Sequence, residues 1–130
     1  MTVQLLVQLH SPGPASAATV KREAVITEIL RLRTGARIKL DYVEIRDCDC
    51  DGGFEVVNNN PLIRAFTTTA KTKIFLLKDS SQYFTATLAQ LIEGRKGKDL
   101  GWLFEKSTPF ELQVDEAKKQ ITEIRQIYFP

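Results

Sequence analysis

The chain has 130 residues, of which 43% are hydrophobic and 26% are charged, and its formal net charge at pH 7 is +2. This length predicts one domain over residues 1–130, large enough to bury a hydrophobic core. The nearly balanced charge argues against a dedicated nucleic-acid binder and against a membrane-surface protein.

The first part of the chain predicts a strand followed by a helix. Residues 3–9 alternate between apolar and polar side chains, as in a strand, and the prolines of Ser11-Pro12-Gly13-Pro14 end it. A helix is predicted to begin near residues 15–19 and to end at Gly35. Its apolar stripe has helical spacing and consists of Val20, Val25, Ile26, Ile29, Leu30 and Leu32.

A second strand and a short helix are predicted next. The strand covers Ile38 to Ile45, and its apolar phase switches near Asp41, so it is either covered on both sides or bent by a bulge. Asn60-Pro61 is typical of a helix start. The short helix then runs to Phe66 and ends in the β-branched threonines that follow.

The second half of the chain predicts a hairpin, a helix, a strand and a last helix. The apolar run from Thr72 to Lys78 predicts a buried strand, which returns as an antiparallel strand over 82–85. Leu88, Leu91 and Ile92 predict a helix that ends at Gly94. Residues 109–114 predict a strand, and residues 115–128 a terminal helix capped by Asp115.

Together these elements have the order β-α-β-α-β-(β)-α with a C-terminal β-α extension. Such alternation predicts an α/β fold, a single layered domain with a mixed sheet. The order resembles that of a thioredoxin-like fold over roughly the first four fifths of the chain. The resemblance implies the fold alone, because Ser11-Pro12-Gly13-Pro14 stands in place of a Cys-x-x-Cys motif and Lys71-Thr72 in place of a cis-proline.

The acidic loop 47–55 is the first candidate site. Asp47, Asp49 and Asp51 match the first, third and fifth ligand positions of an EF-hand loop, and Glu55 matches the ninth. Asn58 stands where a bidentate glutamate is needed, and a strand rather than a helix enters the loop. The loop is therefore interpreted as a calcium or magnesium site, as a magnesium site for phosphoryl chemistry at a strand end, or as a solvated acidic turn.

The second candidate is the pair of cysteines in the same loop. Cys48 and Cys50 could act as a redox pair or as soft metal ligands. The flanking carboxylates oppose thiolate formation, and the chain has one histidine, His10, where a structural zinc site needs four nitrogen or sulfur ligands. Two incidental thiols are the ordinary interpretation. A pair of this kind does not form a secreted disulfide framework, which favours a cytoplasmic protein.

The third candidate is an aromatic and apolar cluster near the end of the chain. Such residues either belong to the core or form an exposed patch that binds a protein partner. The cluster contains Trp102, Leu103, Phe104, Tyr128 and Phe129.

The sequence favours a small cytoplasmic interaction or regulatory protein without catalytic activity, which could also associate with itself. This hypothesis rests on the lack of a complete catalytic constellation. The expected partner is another protein or a second copy, and neither a membrane nor a nucleic acid. The first alternative is a divalent-cation-dependent enzyme that acts on a phosphate-containing substrate through loop 47–55. The second is a thioredoxin-like redox protein. No cofactor is expected beyond calcium or magnesium in that loop.

Overall fold

The protein is described by a computed structural model over residues 19–50, 53–58, 61–98 and 108–128. The predicted strand over residues 3–9 lies outside these ranges. Within them the chain forms eight strands and one helix. These are β1 (Thr19–Arg31), β2 (Ala36–Tyr42), β3 (Glu44–Asp47), β4 (Phe54–Val57), β5 (Ile63–Leu77), β6 (Tyr83–Ala86), α1 (Leu88–Arg95), β7 (Pro109–Asp115) and β8 (Gln120–Gln126).

Five of the strands close into a barrel. Their order is β2-β1-β7-β8-β5, and β5 pairs back onto β2. The β5–β8 pair is parallel, and the other four pairs of neighbours are antiparallel. Numbered in chain order, the five barrel strands are β1, β2, β5, β7 and β8. Around the barrel they follow the order first, second, third, fifth, fourth. In the chain, α1 lies between the third and the fourth. This is the topology of the OB-fold barrel.

The core fills the barrel interior, because alternate side chains of each strand point inward. Leu91 of α1 is fully buried in the same core. The Arg95 guanidinium donates hydrogen bonds to the carbonyl of Ile26, which fixes α1 against β1. The fully or almost fully buried apolar residues include Ala24, Ile26, Ala36, Ile38, Leu40, Phe66, Ile74, Phe110, Leu112, Val114, Ile121 and Ile124.

The predicted α/β, thioredoxin-like fold is wrong, because the described chain is a β-barrel with a single helix. The helix predicted from residues 15–19 to Gly35 is β1. Its apolar residues fit both periods, but β-branched side chains crowd a helix and suit a strand. In β1 those side chains are Thr19, Val20, Val25, Ile26, Thr27 and Ile29.

Two further helices were predicted where the structure has strands. The short helix after Pro61 is the start of β5, whose pairing with β2 outweighs the local helix signal. The terminal helix over 115–128 is a turn followed by β8. Asp115 does act as a cap, since its carboxylate accepts a hydrogen bond from the Lys118 N–H at 3.0 Å, but it caps this turn.

The predictions for the remaining elements are confirmed. Residues 72–77 belong to β5, and β6 returns antiparallel to it. The helix predicted from Leu88 is α1, and the strand predicted over 109–114 is β7. Only the second strand differs, because the single strand predicted from Ile38 to Ile45 is divided into β2 and β3, with the break where the apolar phase switches near Asp41.

A two-stranded ribbon forms a small sheet of its own and is bound to β1 at Glu23, whose carbonyl accepts a hydrogen bond from the Val43 N–H at 2.9 Å. It consists of β3 and β4, inserted between barrel strands β2 and β5. The Asp41 carboxylate closes its base, because one oxygen accepts from the Asn58 amide at 2.7 Å and the other from the Leu62 N–H at 3.1 Å.

Candidate functional site

The outer face of β1, β2 and β5 is where we locate the candidate site. The strand register sets Leu30, Arg37 and Thr67 side by side in one row. Glu28, Lys39 and Ala65 form the next row. Residues paired in this way point to the same side of a sheet, so apolar, basic and hydroxyl side chains alternate over this outer face.

Two adjoining depressions run across this face and share Arg37. The smaller has a volume of about 150 Å³ and the larger about 310 Å³. We call their combined surface the basic groove. It is lined by Glu28, Leu30, Leu32, Arg37, Lys39, Ala65, Phe66, Thr67, Lys118 and Lys119.

The β7–β8 turn brings two lysines to the groove. The carbonyl of Lys119 accepts a hydrogen bond from the Thr67 N–H at 2.9 Å, which ties the turn to β5. Lys119 has a left-handed backbone, with φ of 56°, and its ammonium lies 5.5 Å from the centre of the Phe66 ring. Lys118 and Lys119 therefore lie beside Arg37 although they are far from it in sequence.

Glu116 anchors the other side of this turn to side chains of β1 and β2. One carboxylate oxygen accepts from Arg22 at 2.9 Å and the other from the Tyr42 hydroxyl at 2.8 Å. The Tyr42 ring is also flanked by two guanidinium groups, 5.4 Å from Arg22 and 4.1 Å from Arg64. The turn is thus held between this cluster and β5.

The protonation behaviour of the cluster follows from these contacts. The hydrogen bond from Arg22, followed by that from Tyr42, lowers the pKa of Glu116. Burial, followed by the hydrogen bond to Glu116, raises the pKa of Tyr42 to about 12. At neutral pH the carboxylate is charged and the phenol keeps its proton, so both hydrogen bonds are maintained.

The charges of the groove are only partly neutralised. Lys39 forms an ion pair with Glu28 at 3.4 Å. Among the described residues, Arg37, Lys118 and Lys119 have no carboxylate within ion-pair distance. Such a concentration of cations favours an anionic ligand.

The acidic loop occupies the tip of the β3–β4 ribbon. The register pairs Arg46 with Glu55, so these two side chains share one face of the ribbon. Asp47 follows Arg46 in the strand and therefore points to the opposite face from Glu55. Asp49 is exposed and Asp51 lies outside the described residues. No group of three or more histidine, cysteine or carboxylate side chains is placed to share a metal ion in the described ranges. The cation site remains a prediction.

The two cysteines lie in the same tip and are joined by a disulfide. The Cys50 sulfur also lies 3.5 Å from the carbonyl oxygen of Phe54. The redox role of the pair remains a prediction.

The predicted aromatic patch lies almost entirely outside the described residues. Of its members only Tyr128 is described, and it is exposed. Trp102, Leu103, Phe104 and Phe129 lie outside the described ranges, so the patch stays a prediction.

Sequence reasoning missed the basic groove. One signal was present, because Arg37 and Lys39 alternate with Ile38 and Leu40, which indicates a strand with a basic outer face. The adjacent pair Lys118 and Lys119 gave no such signal while it was assigned to a helix.

No helix in the described part of the chain is long and apolar enough to cross a membrane. Comparison with known proteins gave no match to a family model, to a curated protein or to a solved structure. The described chain is thus a small barrel of OB topology with a basic groove on the outer face of its first three strands.

Proposed function

We propose that this protein is a non-catalytic binding module that takes single-stranded nucleic acid in the basic groove. The observation that carries the proposal is the convergence of Arg37, Lys39, Lys118 and Lys119 on one barrel face. They come from one strand and one turn that the fold brings together. The proposal keeps the binding role expected from the sequence and changes the kind of partner.

The position of the groove supports this choice of ligand. OB barrels bind oligonucleotides and oligosaccharides on the face of their second and third strands, between the loops that join strands one and two and strands four and five. Here those loops carry Leu32 and the pair Lys118–Lys119. This step is an analogy at the level of the fold. The basic charge then favours the oligonucleotide over the uncharged sugar.

The chemistry of the lining suits an unpaired strand. Lysine and arginine side chains neutralise phosphates and release their counterions. Leu30 and Leu32 are 52% and 39% exposed and offer apolar surface to unstacked bases. The guanidinium plane of Arg37 offers a stacking surface for a base. A net charge of +2 argued against nucleic acid, but it averages over the whole chain, whereas a ligand meets the local charge of the groove.

The first test is fluorescence anisotropy with labelled single-stranded DNA and RNA of about 12 nucleotides, within the range of site sizes known for OB barrels. We expect micromolar binding at low salt that weakens as salt is added. In the double variant Arg37→Gln/Lys118→Gln, two phosphates are no longer neutralised. The slope of log affinity against log salt should therefore fall by about 1.4, since each phosphate accounts for about 0.7.

The matched control is Lys78→Gln/Lys96→Gln, which removes the same charge from exposed positions that do not line the groove. It should keep the salt slope of the wild type. An equal loss of affinity in both double variants would show charge attraction without a site. The absence of binding at low salt would reject the proposal.

Association with a protein is the second candidate, supported by the β3–β4 ribbon. Phe54 and Val56 alternate along β4, so they share one face, and they are 42% and 36% exposed. Light scattering over a concentration series tests whether two copies associate. If this face is the contact, Phe54→Ser/Val56→Ser should give a monomer at every concentration. An unchanged oligomeric state in that variant would exclude the ribbon.

A further inference from the structure

A third depression lies on the opposite side of the β1–β2 turn from the basic groove. Its volume is about 480 Å³, within the range of small-ligand sites. We call it the threonine cleft. It is lined by Arg33, Thr34, Gly35, Thr68, Thr69, Ala70, Thr72, Ile74, Ala86, Thr87 and Leu88.

One wall of the cleft is a bulge in β5. Between two points of contact with β8, the chain advances five residues on β5, from Thr68 to Lys73, but only two on β8. The three extra residues arch away from the sheet. Side-chain hydroxyls hold the arch, because Thr72 Oγ1 accepts from the Thr69 N–H at 2.9 Å and donates to the Ile121 carbonyl at 2.6 Å. The wall is therefore shaped before any ligand arrives.

The opposite wall is the β1–β2 turn, pressed against the same strand. The Ala36 N–H donates to Thr68 Oγ1 at 2.9 Å. Gly35 has φ of 75°, and a Cβ there would clash with the carbonyl oxygen of Thr68. Glycine thus permits this close approach. The third wall is the start of α1, where Thr87 and Gln90 form a reciprocal capping box.

The lining combines three kinds of chemistry. Ile74, Ala86 and Leu88 give an apolar side, while the hydroxyls of Thr68, Thr69, Thr72 and Thr87 already accept hydrogen bonds from backbone N–H groups of the walls. Arg33 adds a guanidinium that has no carboxylate within ion-pair distance among the described residues. An apolar wall beside a cation suits a ligand with a flat apolar part and a phosphate.

The cleft and the basic groove are neighbours. Leu32 lines the groove and Arg33 the cleft, while Thr67 lines the groove and Thr68 the cleft. Both depressions therefore border the β1–β2 turn, so a strand that leaves the groove across this turn meets the cleft next. We propose that the threonine cleft binds the phosphorylated terminal nucleotide of a strand whose other nucleotides lie in the groove. This inference rests on the proposed function.

In this arrangement Arg33 holds the terminal phosphate, and the base lies against Leu88, which is partly exposed. The protein then recognises strand ends. A free nucleoside monophosphate has the same chemistry, so the experiment must separate the two sources.

The test compares about 12-nucleotide strands, within the OB range, that carry a 5′ phosphate, a 3′ phosphate or neither. We expect one of the phosphorylated strands to bind roughly tenfold more tightly, as a charge-assisted hydrogen bond allows. Arg33→Gln should abolish this preference and leave the affinity for the unphosphorylated strand within about twofold, the change expected away from a binding site. Arg31→Gln, at the end of β1 and outside the cleft lining, is the matched control and should keep the preference.

A second arm adds adenosine monophosphate alone and follows amide chemical shifts of the cleft residues. Shifts that Arg33→Gln removes would support the site. If strands bind equally with or without a phosphate, the inference is overturned while the groove proposal stands. If the mononucleotide shifts the cleft residues but no strand binds, both the groove and the strand-end role are rejected, and the cleft is a site for free mononucleotides.

Discussion

Glu116 connects Arg22 and Tyr42 to the turn that positions the groove lysines. Its carboxylate bonds to Arg22 and Tyr42, and it opens the turn that carries Lys118 and Lys119. The Arg22–Glu116 pair is exposed to solvent, so its own contribution to stability is below about 1 kcal/mol. Its main effect is to hold the turn in one position.

The Tyr42 hydroxyl gives this cluster a pH signature. A raised pKa means that the folded state binds the proton more tightly than the unfolded state. The resulting stability is complete below the ordinary tyrosine pKa of about 10. It is lost as the pH rises to about 12. We expect the free energy of unfolding to fall over this interval, and to fall less in Tyr42→Phe, in urea titrations at a series of pH values.

Tyr83→Phe is the control, because it removes a hydroxyl that donates to the Gln126 carbonyl and leaves the Glu116 cluster intact. At neutral pH, Tyr42→Phe should cost about 1 kcal/mol for the missing hydrogen bond. An alkaline loss in Tyr42→Phe equal to that of the wild type would show that Tyr42 is not its source.

At the scale of elements, the β1–β2 turn depends on one glycine. Gly35→Ala would force a side chain into a left-handed backbone conformation and against the backbone of Thr68. We expect a loss of more than about 2 kcal/mol in the free energy of unfolding, measured by urea denaturation. The substitution should also disturb the threonine cleft.

Gly53→Ala separates the two causes of this loss, which are the left-handed backbone conformation and the clash with Thr68. Gly53 has a similar φ of 79°, but a Cβ there would have no atom of the described residues within 4 Å. It should therefore cost only the conformational strain, about 1 kcal/mol. Equal losses at the two positions would mean that the clash with Thr68 contributes nothing.

Elements with a local signal were predictable, and those defined by distant partners were not. α1 begins with Thr87 and Gln90, whose capping box forms within four residues, and the β5–β6 hairpin forms across a short turn. β1 and β8 contain enough charged residues at helical spacing to imitate surface helices. Each of them pairs with one strand close in the sequence, β2 for β1 and β7 for β8, and with one distant strand, β7 for β1 and β5 for β8, so pairing at both edges rather than local spacing decides their conformation.

The candidate site was missed for the same reason, because its residues lie far apart in the sequence. The groove joins a strand near residue 37 to a turn near residue 118, and no motif spans that distance. The acidic loop attracted attention because its aspartates and cysteines are adjacent in sequence. The barrel instead places the concentration of cations on another surface, which a composition of nearly balanced charge conceals.

At the scale of the whole molecule, barrel closure makes the core a single cooperative unit. Ile38 lies on β2 between β1 and β5 and is fully buried. Ile38→Ala should therefore lower the free energy of unfolding by about 2–5 kcal/mol, with one transition seen by all probes. Leu30→Ala, on the outer face of β1, should cost about 0.5 kcal/mol or less and serves as the control.

The two variants also separate stability from binding. Leu30 lines the groove, so Leu30→Ala should weaken oligonucleotide binding while the thermal midpoint stays close to that of the wild type. Ile38→Ala should lower the midpoint and, below it, bind the oligonucleotide normally. The reverse pattern would show that the outer face supports the fold rather than a ligand.

The ribbon of β3 and β4 joins the barrel where Asp41 bonds to Asn58 and to Leu62, and at Glu23 of β1, which accepts hydrogen bonds from the Val43 and Ile45 N–H groups. Because the register of β2 on β5 is set on the barrel side of this junction, the segment beyond it can change length or sequence without shifting a barrel strand. The segment is therefore suited both to natural variation in length and to engineered insertion. A foreign peptide grafted between residues 47 and 54, beyond these contacts, would be displayed on a scaffold whose core and groove stay as they are.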